Sequence, residues 1–81
     1  MDALIQVVEL LAQIEQDMSV PKNIRSKVKS AASLLQIEQD MAIKIDKSLQ
    51  ELDEIAEDTN TPSYTRTQIW NIVSLLEARK V

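Results

Sequence analysis

The sequence predicts an all-α fold, a compact four-helix up-and-down bundle built from two similar helical hairpins. The 81-residue chain has no glycine and only two prolines, and it lacks the alternating β-branched runs and Asn-Gly turns that mark strands. Apolar residues instead recur at three- and four-residue steps, as they do on amphipathic helices. The chain also repeats itself with an offset of 41 residues, which brings Leu11 onto Leu52 and Pro21 onto Pro62. A period near forty with a central proline is typical of a helix–turn–helix unit used twice.

The first helix is expected over residues 2–17, with an apolar stripe of Leu4, Val7, Leu11, Ile14 and Met18. The second is expected over residues 21–36, packing through Ile24, Val28, Ala31, Ala32 and Leu35. Proline suits the first position of a helix, and the residue before it is pushed into the extended conformation of an N-cap. Val20 and Thr61 take that position, and the Thr61 hydroxyl is predicted to accept a backbone N–H of the fourth helix.

The third and fourth helices are expected over residues 41–57 and 62–79. Neither glycine nor proline separates Leu35 from Met41, so helices two and three could form one rod, but its length would be about three times the mean. Two separate helices are therefore predicted, with Asp40 as the cap of the third. Residues 13–18 recur letter for letter at 36–41, out of phase with the longer repeat, and the sequence offers no physical account of this match.

Composition predicts one domain over residues 1–81 and little chemistry. The chain has no histidine and no cysteine, which argues against a tetrahedral zinc site, a Glu-x-x-His di-iron site and thiol chemistry. Without glycine there is no Gly-rich phosphate loop. We therefore expect no cofactor and no enzyme activity. Carboxylates one helical turn apart, Glu54 with Asp58 or Asp53 with Glu57, leave a hard-cation site as a minor alternative.

The sequence also predicts a soluble cytoplasmic protein with no membrane association. No apolar stretch approaches the ~20 residues that a membrane span requires. The opening Met1-Asp2-Ala3 has no basic region typical of a signal peptide.

Charge is distributed unevenly along the chain. A basic segment carries Lys22, Arg25, Lys27 and Lys29, and an acidic segment carries Glu51, Asp53, Glu54, Glu57 and Asp58. The basic helix 22–29, with Lys22, Arg25 and Lys29 as its candidate patch, is what a nucleic-acid accessory protein would use. The net charge of −4 argues against that function. The favoured interpretation is two solvated helix faces that attract each other within the fold or across a dimer.

The pattern Asp-x-x-x-Pro-x-x-x-Arg occurs twice, as Asp17, Pro21 and Arg25 and again as Asp58, Pro62 and Arg66. A functional interpretation would make it a twin ligand site. The favoured interpretation is a structural corner, in which each Asp ties the turn to the next helix by accepting backbone N–H groups or the Arg fork. The corner is similar to those of HEAT-type helical repeats, although two units are fewer than a solenoid normally needs.

Nearly the whole chain resembles a family of small, uncharacterised archaeal proteins of about 80–90 residues. The resemblance rests on Ser-Val-Pro-Lys-Asn-Ile-Arg at 19–25 and on a final helix with Pro62, Arg66, Ile69 and Trp70. It implies a compact four-helix bundle from a cytoplasmic archaeal protein. It implies no activity.

Trp70 is the only tryptophan and the 41-residue repeat aligns it with Lys29, so it belongs at the edge of the buried stripe. One interpretation is a ring lying flat over its own core. The other is an exposed anchor for a partner, since Trp is enriched at binding hot spots, with Tyr64 extending the same patch. We predict a homodimer through helix four, or another protein partner, and a non-enzymatic interaction or scaffold module as the function.

Overall fold

The computed structural model describes residues 3–79 and contains four α-helices with no β-strand in that range. They are α1 (Ala3–Gln16), α2 (Lys22–Gln36), α3 (Met41–Glu57) and α4 (Ser63–Arg79). Each helix contacts its neighbours in the chain, and α1 packs against α4 to close the ring. The all-α bundle predicted from the sequence is confirmed. No helix of this part of the chain is long and apolar enough to cross a membrane.

The three connections are short, which makes consecutive helices antiparallel. Residues 17–21, the first corner, and residues 58–62, the second corner, lie at the same end of the bundle, the corner end. Residues 37–40 join α2 to α3 at the opposite end, the open end, so the predicted break between these helices is present. Ile37 is extended there, and the Asp40 carboxylate accepts hydrogen bonds from the backbone N–H groups of Ala42 and Ile43 at 3.0 and 3.4 Å. Asp40 therefore caps α3 as predicted.

The core lies along the bundle axis, where the predicted stripes meet. Its buried apolar residues are Val7, Leu11, Ile14, Val20, Ile24, Val28, Ala31, Ala32, Leu35, Ile45, Leu52, Ile55, Ala56, Ile69, Ile72, Val73 and Leu76. Met18 was expected in this set but is 77% exposed, because α1 ends at Gln16 and the chain has already turned into the first corner.

Small side chains lie where Ser48 of α3 packs against α2. Ala31 and Ala32 are buried on α2, and Ser48 of α3 donates its hydroxyl hydrogen to the Ala31 carbonyl at 3.2 Å. The sequence predicts both alanines on the packing face of α2 but gives no signal for the serine. Because the Ser48 hydroxyl is satisfied by a backbone carbonyl, its burial costs little.

Two expectations at the helix starts are wrong. Pro21 is the N-cap of α2 rather than its first residue, with φ −54° and ψ 145°, and no side chain caps that helix. The Thr61 hydroxyl does not accept a backbone N–H of α4. It donates to the Ile55 carbonyl at 2.6 Å, because the buried Thr61 lies against the end of α3, where helix carbonyls lack partners along the helix.

Thr65 generates a test of the core. Its side chain is fully buried, and its hydroxyl has no hydrogen-bond partner. Thr65→Val removes the unsatisfied hydroxyl at nearly constant volume, so we expect the free energy of unfolding to rise by about 1 kcal/mol. Urea denaturation measures it. The control is Thr67→Val, at an exposed position whose hydroxyl donates to the Ser63 carbonyl at 3.2 Å. A loss of stability in Thr65→Val would show that its hydroxyl is satisfied.

Candidate functional site

The two corners have the same backbone scaffold. In the first, the Asp17 carboxylate accepts hydrogen bonds from the Ser19 backbone N–H at 3.0 Å and the Ser19 hydroxyl at 2.6 Å. In the second, the Asp58 carboxylate accepts from the Asn60 backbone N–H at 2.8 Å. Each Asp thus closes a turn on the residue two positions ahead, a common role for this side chain.

The two arginines bind backbone carbonyls rather than the aspartates. Arg66 donates from Nε to the Ala56 carbonyl at 2.7 Å and from one terminal nitrogen to the carbonyls of Asp58 and Thr61 at 3.5 and 3.4 Å. Arg25 donates from Nε to the Val20 carbonyl at 3.0 Å. Each Asp was expected to close the corner either by accepting backbone N–H groups or by binding the Arg fork. The observed contacts favour the backbone N–H groups. In both arginines the Nε–H is engaged by a backbone carbonyl, which argues against a twin ligand site.

Hydrogen bonding lowers the pKa of both corner aspartates. For Asp17 the main cause is the Ser19 hydroxyl, followed by the Ser19 backbone N–H, with a smaller contribution from the positive charge of Arg25. For Asp58 the backbone N–H of Asn60 comes first and the Lys27 ammonium second. Both carboxylates are therefore held in the charged form.

The basic and acidic segments lie on the neighbouring helices α2 and α3. Lys27 forms an ion pair with Asp58 at 3.1 Å, and the Ser30 hydroxyl donates to Glu51 at 3.2 Å. Lys22, Arg25 and Lys29 point to the other side of α2. There they line a shallow groove between α1 and α2 together with Glu15 and Ser26. We call it the basic groove. The structure thus brings the three residues of the predicted basic patch together and places one carboxylate among them.

An apolar groove that the sequence analysis did not identify lies nearer the open end of the same two helices. Its volume is about 260 Å³, and it is lined by Leu4, Ile5, Val8, Glu9, Leu35 and Gln36. The extra width that Ile5 and Val8 give to the apolar stripe of α1 was the only sequence signal for it. Ile5 is 55% exposed, so this wider stripe is only partly covered by α2.

Trp70 and Tyr64 are both about half exposed, at 49% and 48%. They do not lie on one patch. Six residues of an α-helix correspond to a rotation of about 240°, which places the two rings on different sides of α4. The Tyr64 hydroxyl shares a hydrogen bond with the Ser19 hydroxyl of the first corner, so Tyr64 joins α4 to the α1–α2 turn. Trp70 remains as the exposed ring on the other flank.

The carboxylate alternative finds no support in the geometry. In residues 3–79 no group of three or more His, Cys, Asp or Glu residues is placed to hold a metal ion. The expected pair Glu54 and Asp58 is compromised, because Asp58 is already paired with Lys27.

Comparison with known proteins places the chain among archaeal sequences. The model of an uncharacterised protein family, UPF0147, matches residues 1–78. A UPF0147 protein of Metallosphaera sedula is 42% identical over 73 residues, which cover 89% of this chain and 82% of the relative. A UPF0147 protein of Pyrococcus furiosus is 39% identical over 77 residues, which cover 93% and 83%.

A solved structure also resembles this fold. The crystal structure of the unknown-function protein MMP1188 superposes with a TM-score of 0.90 at 43% sequence identity, and the match covers 94% of this chain and 88% of that one.

The arginine contacts predict unequal costs for the same substitution at the two corners. Arg66→Lys removes a fork that serves three carbonyls, and an ammonium cannot reproduce its geometry. We expect a loss of about 2 kcal/mol in the free energy of unfolding. Arg25→Lys removes one backbone contact and should cost about 1 kcal/mol. Urea denaturation of both variants decides this, and equal losses would mean that the extra Arg66 contacts add nothing.

The aspartates predict acid sensitivity. A carboxylate whose pKa is lowered by folding adds stability above its unfolded pKa, about 3.9, and loses it as pH falls through the folded value. The melting temperature should therefore drop below about pH 4, and Asp17→Asn with Asp58→Asn should make that drop shallower. Thermal melts from pH 6 to pH 2.5 measure it, with the exposed Asp53→Asn as a control for charge. An unaltered pH profile in the double variant would remove the corners as its source.

Proposed function

The chain belongs to the UPF0147 family, which has no assigned activity, and we propose that it is a non-enzymatic protein–protein interaction module that self-associates through Trp70. The observation that carries the proposal is the 49% exposure of the only tryptophan, on a helix flank that no other element of residues 3–79 covers completely. Tryptophan is enriched among the residues that dominate binding energy.

The chemistry of the chain supports a binding role over catalysis. There is no histidine or cysteine, and the pKa values of Asp17 and Asp58 are shifted downward. General acids and bases need pKa values near the working pH, so this shift is in the opposite direction. The arginines and aspartates of the repeated motif are engaged in closing the corners.

The geometry around Trp70 suits an isologous contact, in which the same flank of α4 meets itself across a two-fold axis. Val73, one turn along the helix, is 7% exposed and lies at the edge of the core. Burying the exposed half of each indole removes about 100 Å² from water, or roughly 2.5 kcal/mol per ring. Two rings supply about 5 kcal/mol, less than the ~8 kcal/mol of a micromolar complex, so we expect a weak dimer.

Sedimentation velocity at 10 to 300 µM tests the proposal. The wild type should shift from monomer to dimer across this range, while Trp70→Ala should remain monomeric. The matched control is Ile43→Ala, because Ile43 is 46% exposed but lies on α3, and this variant should dimerise like the wild type. A wild type that stays monomeric throughout would refute self-association, and a dimer that persists in Trp70→Ala would clear Trp70 of the role.

The single tryptophan also provides an intrinsic probe. If Trp70 enters the interface, its fluorescence emission should move to shorter wavelength as the concentration rises, because the indole leaves water. Tyr64→Phe should show the same shift, since Tyr64 lies on a different side of α4. A concentration-independent emission maximum together with a dimer in sedimentation would place the interface elsewhere.

A further inference from the structure

The crevice between α1 and α2 contains two surface grooves. Its apolar groove lies toward the open end, lined by Leu4, Ile5, Val8 and Leu35. Its basic groove lies toward the corner end, lined by Lys22, Arg25 and Lys29. Because α1 and α2 are antiparallel, the small residues Ala12 and Ala32 fall between the two grooves. The crevice therefore changes from apolar to basic along one line.

The apolar groove is more than a scattered exposed side chain. Ile5 is 55% exposed, and Leu4 and Val8 are only partly buried although both pack against the core. The groove has a volume of about 260 Å³, which is space for aliphatic side chains from outside. Its two polar residues, Glu9 and Gln36, give it the polar rim that is common at binding sites.

Two lysines of the basic groove form no ion pair within residues 3–79. Lys27 forms an ion pair with Asp58 on the α3 side of α2. Lys22 and Lys29 are exposed and have no ion pair within the described part of the chain. They lie two turns apart, about 10 Å along the helix, on the flank of α2 that faces α1. Glu15 is the acidic residue that lines the same groove.

We propose that this crevice binds an amphipathic helix of a partner protein, with apolar residues in the groove at the open end and acidic residues against Lys22 and Lys29. A helix laid into a groove is a common mode of peptide recognition, read through anchors at i, i+3, i+4 and i+7. From Lys22 to Leu35 the crevice is about 20 Å long, which corresponds to a segment of about 14 residues. The unpaired lysines determine the charge of the partner and its direction along the crevice.

A partner peptide fits these observations better than a nucleic acid. A phosphate backbone gains its affinity from basic contacts and would gain nothing from an apolar groove. A helix with an apolar segment that ends in acidic residues fits both ends, with its apolar part in the apolar groove and its acidic part against the lysines. This surface lies on α1 and α2, whereas Trp70 lies on α4, so the inference does not depend on the proposed self-association.

The probe is a fluorescein-labelled 14-residue helical peptide with Leu at i, i+3, i+4 and i+7 and three Glu at one end. Anisotropy titration of the whole protein should give saturable binding that weakens as salt rises. Lys29→Glu should weaken it at least tenfold, and so should Ile5→Glu, an exposed position where the variant should fold. The matched control is Lys47→Glu, an equal charge reversal at an exposed position on α3, which should bind like the wild type.

A second, independent experiment reverses the charge of the peptide. A peptide with Lys in place of the three Glu should bind the wild type at least tenfold more weakly and should recover affinity for Lys29→Glu. Absence of saturable binding up to 500 µM would overturn the proposal, as would equal binding of the two peptides to the wild type. A single-stranded 20-nucleotide RNA that binds more tightly than the peptide, and equally well to the wild type and Ile5→Glu, would replace the proposal with a nucleic-acid surface.

Discussion

The bundle depends on how the carbonyl groups at the ends of α1 and α3 find donors. Helices commonly end on a glycine in the left-handed conformation, which lets the following N–H groups reach those carbonyls. This chain has no glycine, and no residue of 3–79 has a positive φ. The Ile14 carbonyl of α1 accepts from the Asp17 backbone N–H, and the Ile55 carbonyl of α3 accepts from the Asp58 backbone N–H. At the end of α3 two side chains from beyond the turn add donors: Arg66 binds the Ala56 carbonyl, and the Thr61 hydroxyl binds that of Ile55. The corner aspartates hold the intervening turn, which lets the next helix return antiparallel.

Once both corners are closed at one end, the remaining contacts join the two hairpins. Ala31 and Ser48 bring α2 and α3 close together, and the ion pair of Lys27 with Asp58 ties α2 to the second corner. Tyr64 ties α4 to the first corner through Ser19. Because the apolar stripes of the helices are buried in the core, few apolar surfaces face outward. The Trp70 flank and the α1–α2 crevice are two of them.

The fold was largely predictable from the sequence, because helix periodicity, proline position and the absence of strand signals all agree. The predictions that fail concern residues whose environment is set by tertiary contacts. Thr61 has the right residue type for an N-cap, but the unsatisfied end of α3 takes its hydroxyl. The same six residues occur at 13–18 and 36–41, yet Ile14 is buried in a helix and Ile37 is 44% exposed in a connection. The crevice escaped prediction because it depends on the lateral placement of two helices. The repeat correctly predicts Trp70 at the boundary of the core, but the helical rotation between positions 64 and 70 separates it from Tyr64.

The capping by arginine has a consequence for how the chain acquires its structure. Arg66 lies one turn inside α4 yet completes the end of α3, and Arg25 likewise reaches back from α2 into the turn before it. The end of α3 is therefore complete only once the first turn of α4 has formed, and the first corner is complete only once that of α2 has formed. Each hairpin should condense as one cooperative unit rather than helix by helix. Such units are built from contacts close in sequence, which favours rapid folding. The joining of the two finished hairpins across α2 and α3 would then be the slower, later event.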